Sequence, residues 1–353
     1  MTGVHGHMER AAVPLISVSD AVVAYLIAGA VALAGCRSGA APPQIVFMSP
    51  AKPGLGPAGY EIVTMDLDGS NRRQVTDNAR QEFLPHFSPD GSRLVYTTFT
   101  LGSYGQLGST TDVGLYDLAR GVEANLTNTG EDSYPVWSPD GRRIAFLSRA
   151  PQGLGLWIMS TEGAGRHRIL EPAGAPAELT FGDIAWSSDD WILFVVAQNT
   201  GDCFKTRIDK IRPDGTDRTQ VTDGGPSCTP PGKEQCGDAD PAFSADGQTI
   251  YSSRGFPIAP PGGPSSSTER KLYAFSSDAW YAGKPEQDLS LAGQPSCIEG
   301  VPKESADGRR VLLFRACFDG AGPGPGIYLT DPAGSFRTFV AEGFGPDWNP
   351  AAR

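Results

Sequence analysis

The chain has 353 residues and a net charge of −11, with basic residues dispersed among more numerous acidic ones. Nucleic-acid binding needs a basic face, and this distribution excludes one.

The first 35 residues are read apart from the fold. Residues 21–35 form an apolar run without charge, too short for a spanning helix, which needs about 20 residues. The run ends in Leu33-Ala34-Gly35-Cys36, which resembles the bacterial lipobox. The resemblance implies a signal peptide over 1–35, diacylglyceryl transfer to the Cys36 thiol, and a linker over 36–43. Acyl chains on Cys36 and on the new amino terminus supply the two signals that stable anchoring requires. Arg10 is the only Lys or Arg of the leader, and Glu9 and Asp20 stand beside it. An uncleaved signal anchor with an incidental cysteine is the rival reading.

From residue 44 the chain reads as short strands. Residues 44–49 and 60–66 are strand-like, a turn follows at Asp68-Gly69, and 73–76 is a short strand. Then a phrase begins to recur. It is Pro-His-Phe-Ser-Pro-Asp-Gly at 85–91, Pro-Val-Trp-Ser-Pro-Asp-Gly at 135–141 and Ile-Ala-Trp-Ser-Ser-Asp-Asp at 184–190. It returns as Pro-Ala-Phe-Ser-Ala-Asp-Gly at 241–247, Pro-Lys-Glu-Ser-Ala-Asp-Gly at 302–308 and Pro-Asp-Trp-Asn-Pro at 346–350. An apolar residue ends one strand, Ser-Pro-Asp-Gly makes a tight turn, and a second strand follows at once.

Second strands are expected at 93–98, 143–148, 191–197, 249–253 and 309–315, and third strands at 113–118, 155–160, 206–212, 271–276 and 326–331. Fourth strands are expected at 123–126, 167–170, 219–222 and 337–340. Turn aspartates 50 apart (Asp90 and Asp140) set a period near fifty residues. The longer gaps carry Pro/Gly/Ser-rich insertions at 224–237, 255–268 and 320–326, read as loops outside the sheets.

One four-stranded antiparallel meander cannot bury both its faces, so the units must stack around an axis. The expected fold over 44–353 is an all-β, six-bladed β-propeller. Its last unit stops after one strand, and 44–76 supplies the missing three, so pairing of the two termini closes the ring and removes the open edge. The repeat phrase resembles that of the TolB-like propeller family, also seen in the propellers of prolyl-oligopeptidase-like enzymes. The expectation is an exported lipoprotein variant without the α/β domain that precedes the propeller in TolB. Asp190 in place of Gly, Ser188 in place of Pro, and Lys303 and Glu304 in place of apolar residues depart from the pattern.

The cysteines fit export. Cys297 lies ten residues before Asp307 and Cys317 ten after it, so an antiparallel pair returns them to one edge for a disulfide. Among Cys203, Cys228 and Cys236 two are expected to pair. Zinc is the rival reading, but there is no Cys-x-x-Cys and no nearby histidine.

In a propeller the first strand of each blade lines the channel. Residues eight and six positions before the turn aspartates place Glu82, Asp132, Asp183, Asp238, Asp240 and Glu299 around one rim, with Asp347 on the closing strand. Such a funnel attracts cations. It suits a basic peptide segment or a hydrated Ca²⁺; the rival reading is that these side chains cap turns. His86 is the one weak metal candidate. Trp137, Trp186 and Trp348 share a repeat position that packs between blades, while Phe83 and Tyr134 lie nearer the mouth.

No Gly-x-Ser-x-Gly elbow is present. The ring also resembles oligogalacturonate lyases distantly, whose channel metal takes several histidines, whereas 44–353 holds His86 and His167 alone. The expectation is therefore a monomeric, non-catalytic, membrane-anchored scaffold of the periplasm or cell surface that binds an envelope protein or peptide, with no cofactor beyond a channel Ca²⁺. A carbohydrate-active, channel-mouth enzyme is the alternative.

Overall fold

The computed structural model describes residues 42–50, 59–100, 110–149, 154–170, 178–180, 182–199, 204–224, 235–258, 267–277, 286–291, 297–317 and 323–352. Cys36, the leader, Cys203 and Cys228 lie outside them, as does the side chain of Cys236. Every described regular element is a β-strand. No helix among the described residues is long and apolar enough to cross a membrane.

The strands form antiparallel meanders. Gln81–Phe87, Arg93–Thr100, Thr110–Asp117 and Val122–Asn125 make one four-stranded sheet, and Asp132–Trp137, Arg143–Ser148, Gly155–Ser160 and His167–Leu170 another. A third sheet has the order Phe344–Trp348, Ile45–Pro50, Tyr60–Met65, Arg73–Gln74, so the last strand pairs with the first, Ile45 opposite Trp348. The remaining thirteen strands form one sheet of three successive meanders, whose inner strands lie at Ala185–Trp186, Gln235–Phe243 and Cys297–Glu304. Short parallel pairings join these meanders: Phe204–Thr206 with Gln235–Gly237, and Arg270 with Ile298.

Two insertions expected as loops are partly strand. Thr249–Ile258 and Ser267–Ser276 stay paired out to Ile258 opposite Ser267, extending a hairpin past the sheet. Residues 235–237 take up the parallel pairing just described. In both places free backbone groups find a ladder partner, which outweighs a loop-like composition.

The repeat turn is built as its residues dictate. In the first, Ser88 Oγ donates to Asp90 Oδ1 at 2.6 Å, Arg93 N donates to Ser88 Oγ at 3.0 Å, and Gly91 takes φ +68°. The serine hydroxyl holds each turn carboxyl of Asp90, Asp140, Asp246 and Asp307 below the usual range. Where Asp190 replaces Gly it adopts φ 68°, and its Oδ1 accepts from Trp186 Nε1 at 2.8 Å. An aspartate tolerates that left-handed conformation better than most residues.

The core alternates with the pleat. Leu94 and Tyr96 pack with Val46 and Ile62, while Val95 between them packs with Trp137, Ile144 and Phe146. Ala145 and Leu147 then meet Ile192 and Phe194, and Leu193 meets Ile250. Tyr251 meets Val311 and Leu313, and Leu312 meets Ile45 and Phe47. Successive side chains leave a strand on opposite faces, so these second strands are apolar on both. Each such side chain contributes about 1.5–3 kcal/mol on burial. Cys297 and Cys317 stand directly opposite each other and are disulfide-bonded, closing a separation of 20 residues. By loop entropy that bond contributes about 3 kcal/mol.

Candidate functional site

Four of the inner strands share a bulge. Register slips between Phe83 and His86, Ser133 and Val136, Ala239 and Ala242, and Gly300 and Lys303. At the slip Leu84, Tyr134, Asp240 and Val301 take φ of 50, 54, 49 and 52°. Left-handed backbone is costly for such residues, above all a β-branched valine, and persists where the surroundings hold it. Two of the freed amide groups are held by the adjacent meander: Tyr134 N donates to Thr97 Oγ1 at 2.9 Å, and Leu84 N approaches Met48 Sδ at 2.9 Å. A bulge re-aims the residues beside it.

The re-aimed residues converge. Asp183 is buried, with Lys303 Nζ 3.0 Å from its Oδ2 and His86 Nε2 3.5 Å from its Oδ1. His86 Nδ1 lies 3.5 Å from Asp347 Oδ2, which also accepts from Phe87 N at 3.0 Å. Asp240 Oδ2 accepts from Ser253 Oγ at 2.7 Å, and Tyr134 feels the charges of Asp183 and Asp240. One polar group from each repeat thus enters a single cluster: His86, Tyr134, Asp183, Asp240, Lys303 and Asp347.

Burial penalises every charge here, but the mutual contacts win. Burial opposes Asp183 ionisation, yet the Lys303 ammonium and then His86 hold its carboxyl well below the usual range. Burial and Lys303 push His86 down, and its contacts with Asp183 and Asp347 more than reverse this, so it ends raised. Lys303 is likewise raised against its own burial by Asp183, Asp347 and Asp240. Burial, then Asp183 and Asp240, raise the Tyr134 hydroxyl.

Three members of the cluster, His86, Lys303 and Asp347, line a cavity of about 410 Å³ together with Trp137, Trp186 and Trp348. The indoles also staple repeats together. Trp137 Nε1 donates to the His86 carbonyl at 3.1 Å and Trp348 Nε1 to the Lys303 carbonyl at 2.8 Å. Arg93, Arg143 and Arg310 lie over the three rings at 4.8, 4.9 and 5.7 Å. Such stacking adds about 0.5–1 kcal/mol at exposed sites.

The seven acidic residues singled out in the sequence divide into two sets. Asp183, Asp240 and Asp347 belong to the cluster around Lys303. Glu82, Asp132, Asp238 and Glu299 are 0, 0, 0 and 3% exposed; the last three are paired within their own meanders, while Glu82 faces the seam with the preceding sheet. Arg166 grips Asp132 through two 2.8 Å bonds, Arg337 grips Glu299 through two of 2.7 Å, and Arg254 Nε reaches Asp238 at 2.6 Å. Glu82 accepts from Thr76 Oγ1 and Asn78 Nδ2, both at 2.9 Å. Bidentate pairing of this kind orders a meander from within.

The cavity sits where the inner strands end in their turns, not before those strands begin. Phe83 packs edge-on against Phe99 at 5.8 Å. His167 is exposed, with Nδ1 2.9 Å from the Gly165 carbonyl. Among the described residues no three or more His, Cys, Asp or Glu side chains are arranged to hold a metal. The Lys303 ammonium already occupies the cationic place among three carboxylates. Lys303 is the residue the sequence reasoning passed over. Its signal was there, as a charge standing where the repeat demands an apolar side chain.

Comparison with known proteins agrees with this architecture. The TolB β-propeller domain family matches residues 32–202. The Tol-Pal system protein TolB of Anaeromyxobacter dehalogenans is 29% identical over 119 residues, 33% of this chain and 26% of that protein. The chain thus spans about a quarter of the length of the curated relatives it matches. The crystal structure of TolB from Acinetobacter baumannii superposes with TM-score 0.60 at 17% identity, covering 93% of this chain and 72% of that one. An oligogalacturonate lyase from Vibrio parahaemolyticus gives TM-score 0.50 at 16% identity, covering 78% and 74%.

Proposed function

Because the chain belongs to the TolB-like β-propeller family, we propose that it is a non-catalytic binding module of the cell envelope, exported and lipid-anchored through Cys36. Six four-stranded blades surround an axis, and the pairing of Phe344–Trp348 with Ile45–Pro50 closes the ring. Six apolar clusters support this, each joining one meander to the next, the last returning from Leu312 to Ile45. The shared name of the relatives, Tol-Pal system protein, favours a protein partner.

The observation that carries the reading is the aromatic funnel over a charged floor. Three carboxylates there stand against Lys303 and His86, leaving negative charge under three indoles. Asp347, whose side chain is 17% exposed, is the one of the three that lines the cavity. That combination favours a partner segment presenting a lysine or arginine, by charge complementarity and stacking on the indoles.

A second reading, a channel-mouth enzyme acting on carbohydrate, draws on one observation: Tyr134, His86 and Lys303 are acid–base groups clustered beneath a cavity. Tightly bound Mn²⁺ that is lost in His86→Ala, or turnover of an oligogalacturonide, would favour it.

To test the binding reading, purified protein is titrated with a lysine-rich and a glutamate-rich peptide while tryptophan emission is followed. The lysine-rich peptide alone should alter emission, and Asp347→Asn should weaken that response at least several-fold with the fold intact. Equal responses to both peptides, or full binding by Asp347→Asn, sinks the reading.

A further inference from the structure

One repeat breaks the charge rule that the others obey. The residue three positions before the one whose amide closes the fourth strand is Arg72, Glu123, Arg166, Arg218, Glu286 and Arg337 along the chain. Arg166 and Arg337 neutralise Asp132 and Glu299, and Arg218 neutralises Asp209 at 2.8 Å. Where Glu286 stands, Arg254 on the second strand pairs with both it and Asp238. The sheet containing Gln81–Phe87 has neither device. It carries Glu123 at the arginine place and Thr98, opposite Glu82, where the other has Arg254.

Glu82 is therefore buried without a guanidinium, and its neighbours are carboxyls. Glu61 comes from Tyr60–Met65 in the adjacent sheet, is 6% exposed, and its carboxyl lies close enough to Glu82 for its charge to act there. Thr76 Oγ1 donates to Glu82 Oε2 at 2.9 Å and accepts from Ile62 N at 2.8 Å, and Thr76 also acts on the Glu61 carboxyl, so one hydroxyl serves both acids. Glu61 Oε2 is buried and finds no hydrogen-bond partner among the described residues. Asn78 Nδ2 donates to Glu82 Oε1 and lies 3.5 Å from Glu123 Oε2. Asp77 and Glu123 add negative charge, and the Tyr96 hydroxyl, raised by burial and Glu123, stays neutral. Arg80 acts on Tyr96, and Arg72 is turned onto Ser49 Oγ at 2.9 Å and the Phe47 ring.

We propose that Glu61 and Glu82 share one proton, making the seam between the sheet that holds both chain termini and its neighbour a pH-responsive latch. Two carboxylates in contact and out of water repel; one proton turns the contact into a short hydrogen bond. Burial, then the charge of Glu61, pushes Glu82 up to about 8, and burial also raises Glu61. Since both folded values lie above the unfolded one, the stabilisation is full below about pH 4.5 and fades until Glu82 ionises near 8. This inference does not depend on what the funnel binds.

The test compares wild type with Glu82→Gln, which keeps the hydrogen bond but cannot ionise, and with Glu123→Arg, which restores the cation of the other repeats. Relative to Glu82→Gln, the wild-type unfolding constant should rise roughly tenfold per pH unit between about pH 5 and 7. Glu123→Arg should reduce that difference. Infrared spectra of the wild type at neutral pH should hold a protonated-carboxyl band that Glu82→Gln removes. Parallel pH curves for wild type and Glu82→Gln, or no such band in the wild type, overturn the proposal. Absence of that band from the wild type overturns the proposal even if a variant fails to fold.

Discussion

Lys303 Nζ lies 3.0 Å from Asp183 Oδ2, linking two repeats 120 residues apart in the chain. Both groups are almost dry, their side chains 11 and 1% exposed. The ammonium also answers Asp347 and Asp240, so one lysine neutralises a cluster assembled from several strands.

Removing that ammonium should leave Asp183 buried and short of its closest cation. Lys303→Met is expected to destabilise the fold by about 3–5 kcal/mol, the usual result of breaking a buried pair from one side. The double variant Lys303→Met, Asp183→Asn should recover much of the loss. Urea unfolding of the full cycle measures the coupling, and additive losses would show that the two charges act independently.

The same cluster predicts opposite pH limbs. His86 has a folded value raised above its unfolded 6.5, so its stabilisation is full below 6.5 and lost as pH rises through the folded value. Asp183 is lowered from 3.8, so its stabilisation is full above 3.8 and lost as pH falls through a more acidic folded value. His86→Gln should therefore be most destabilising in mild acid and approach wild type in alkaline buffer. Thermal melts across pH check this, and a penalty independent of pH contradicts it.

Docking of the C-terminus can be read from two glycines in the same turn position. A Cβ on Gly91 would meet Asn349 Oδ1 at 2.1 Å and Ala351 Cβ at 2.8 Å, whereas one on Gly247 meets nothing within 4 Å. Both have positive φ, +68 and +72°. Gly247→Ala should cost about 1 kcal/mol, from backbone strain alone. Gly91→Ala should cost clearly more, since Asn349 must move, and urea unfolding of the pair isolates the difference. Equal losses would mean that the last residues do not seat on this turn.

Much of the architecture was legible because it is written in short-range chemistry. Ser88, Asp90 and Gly91 satisfy one another within a few residues, and the phrase recurs wherever that turn does. The second strand at Arg143–Ser148 and the third at Gly155–Ser160 fall where the pattern puts them. Cys297 and Cys317 could be paired on paper because they are equidistant from one hairpin turn. The departures were legible only as departures. Glu304 proves to bind the preceding meander, accepting from Tyr251 Oη at 2.7 Å, which no local rule foretells.

The acidic residues show where such reasoning stops. Asp132 and Asp183 stand eight and six residues before their turn aspartates, and one closes on Arg166 inside its own meander while the other faces Lys303 of a distant repeat. The sequence by itself determined the repeat, its turns, the apolar character of its second strands and the disulfide, because backbone geometry and hydrogen bonds to near neighbours decide them. Only the tertiary structure decided which charges meet, because Coulomb energy and desolvation depend on distances and burial that arise when strands far apart in the chain are brought together.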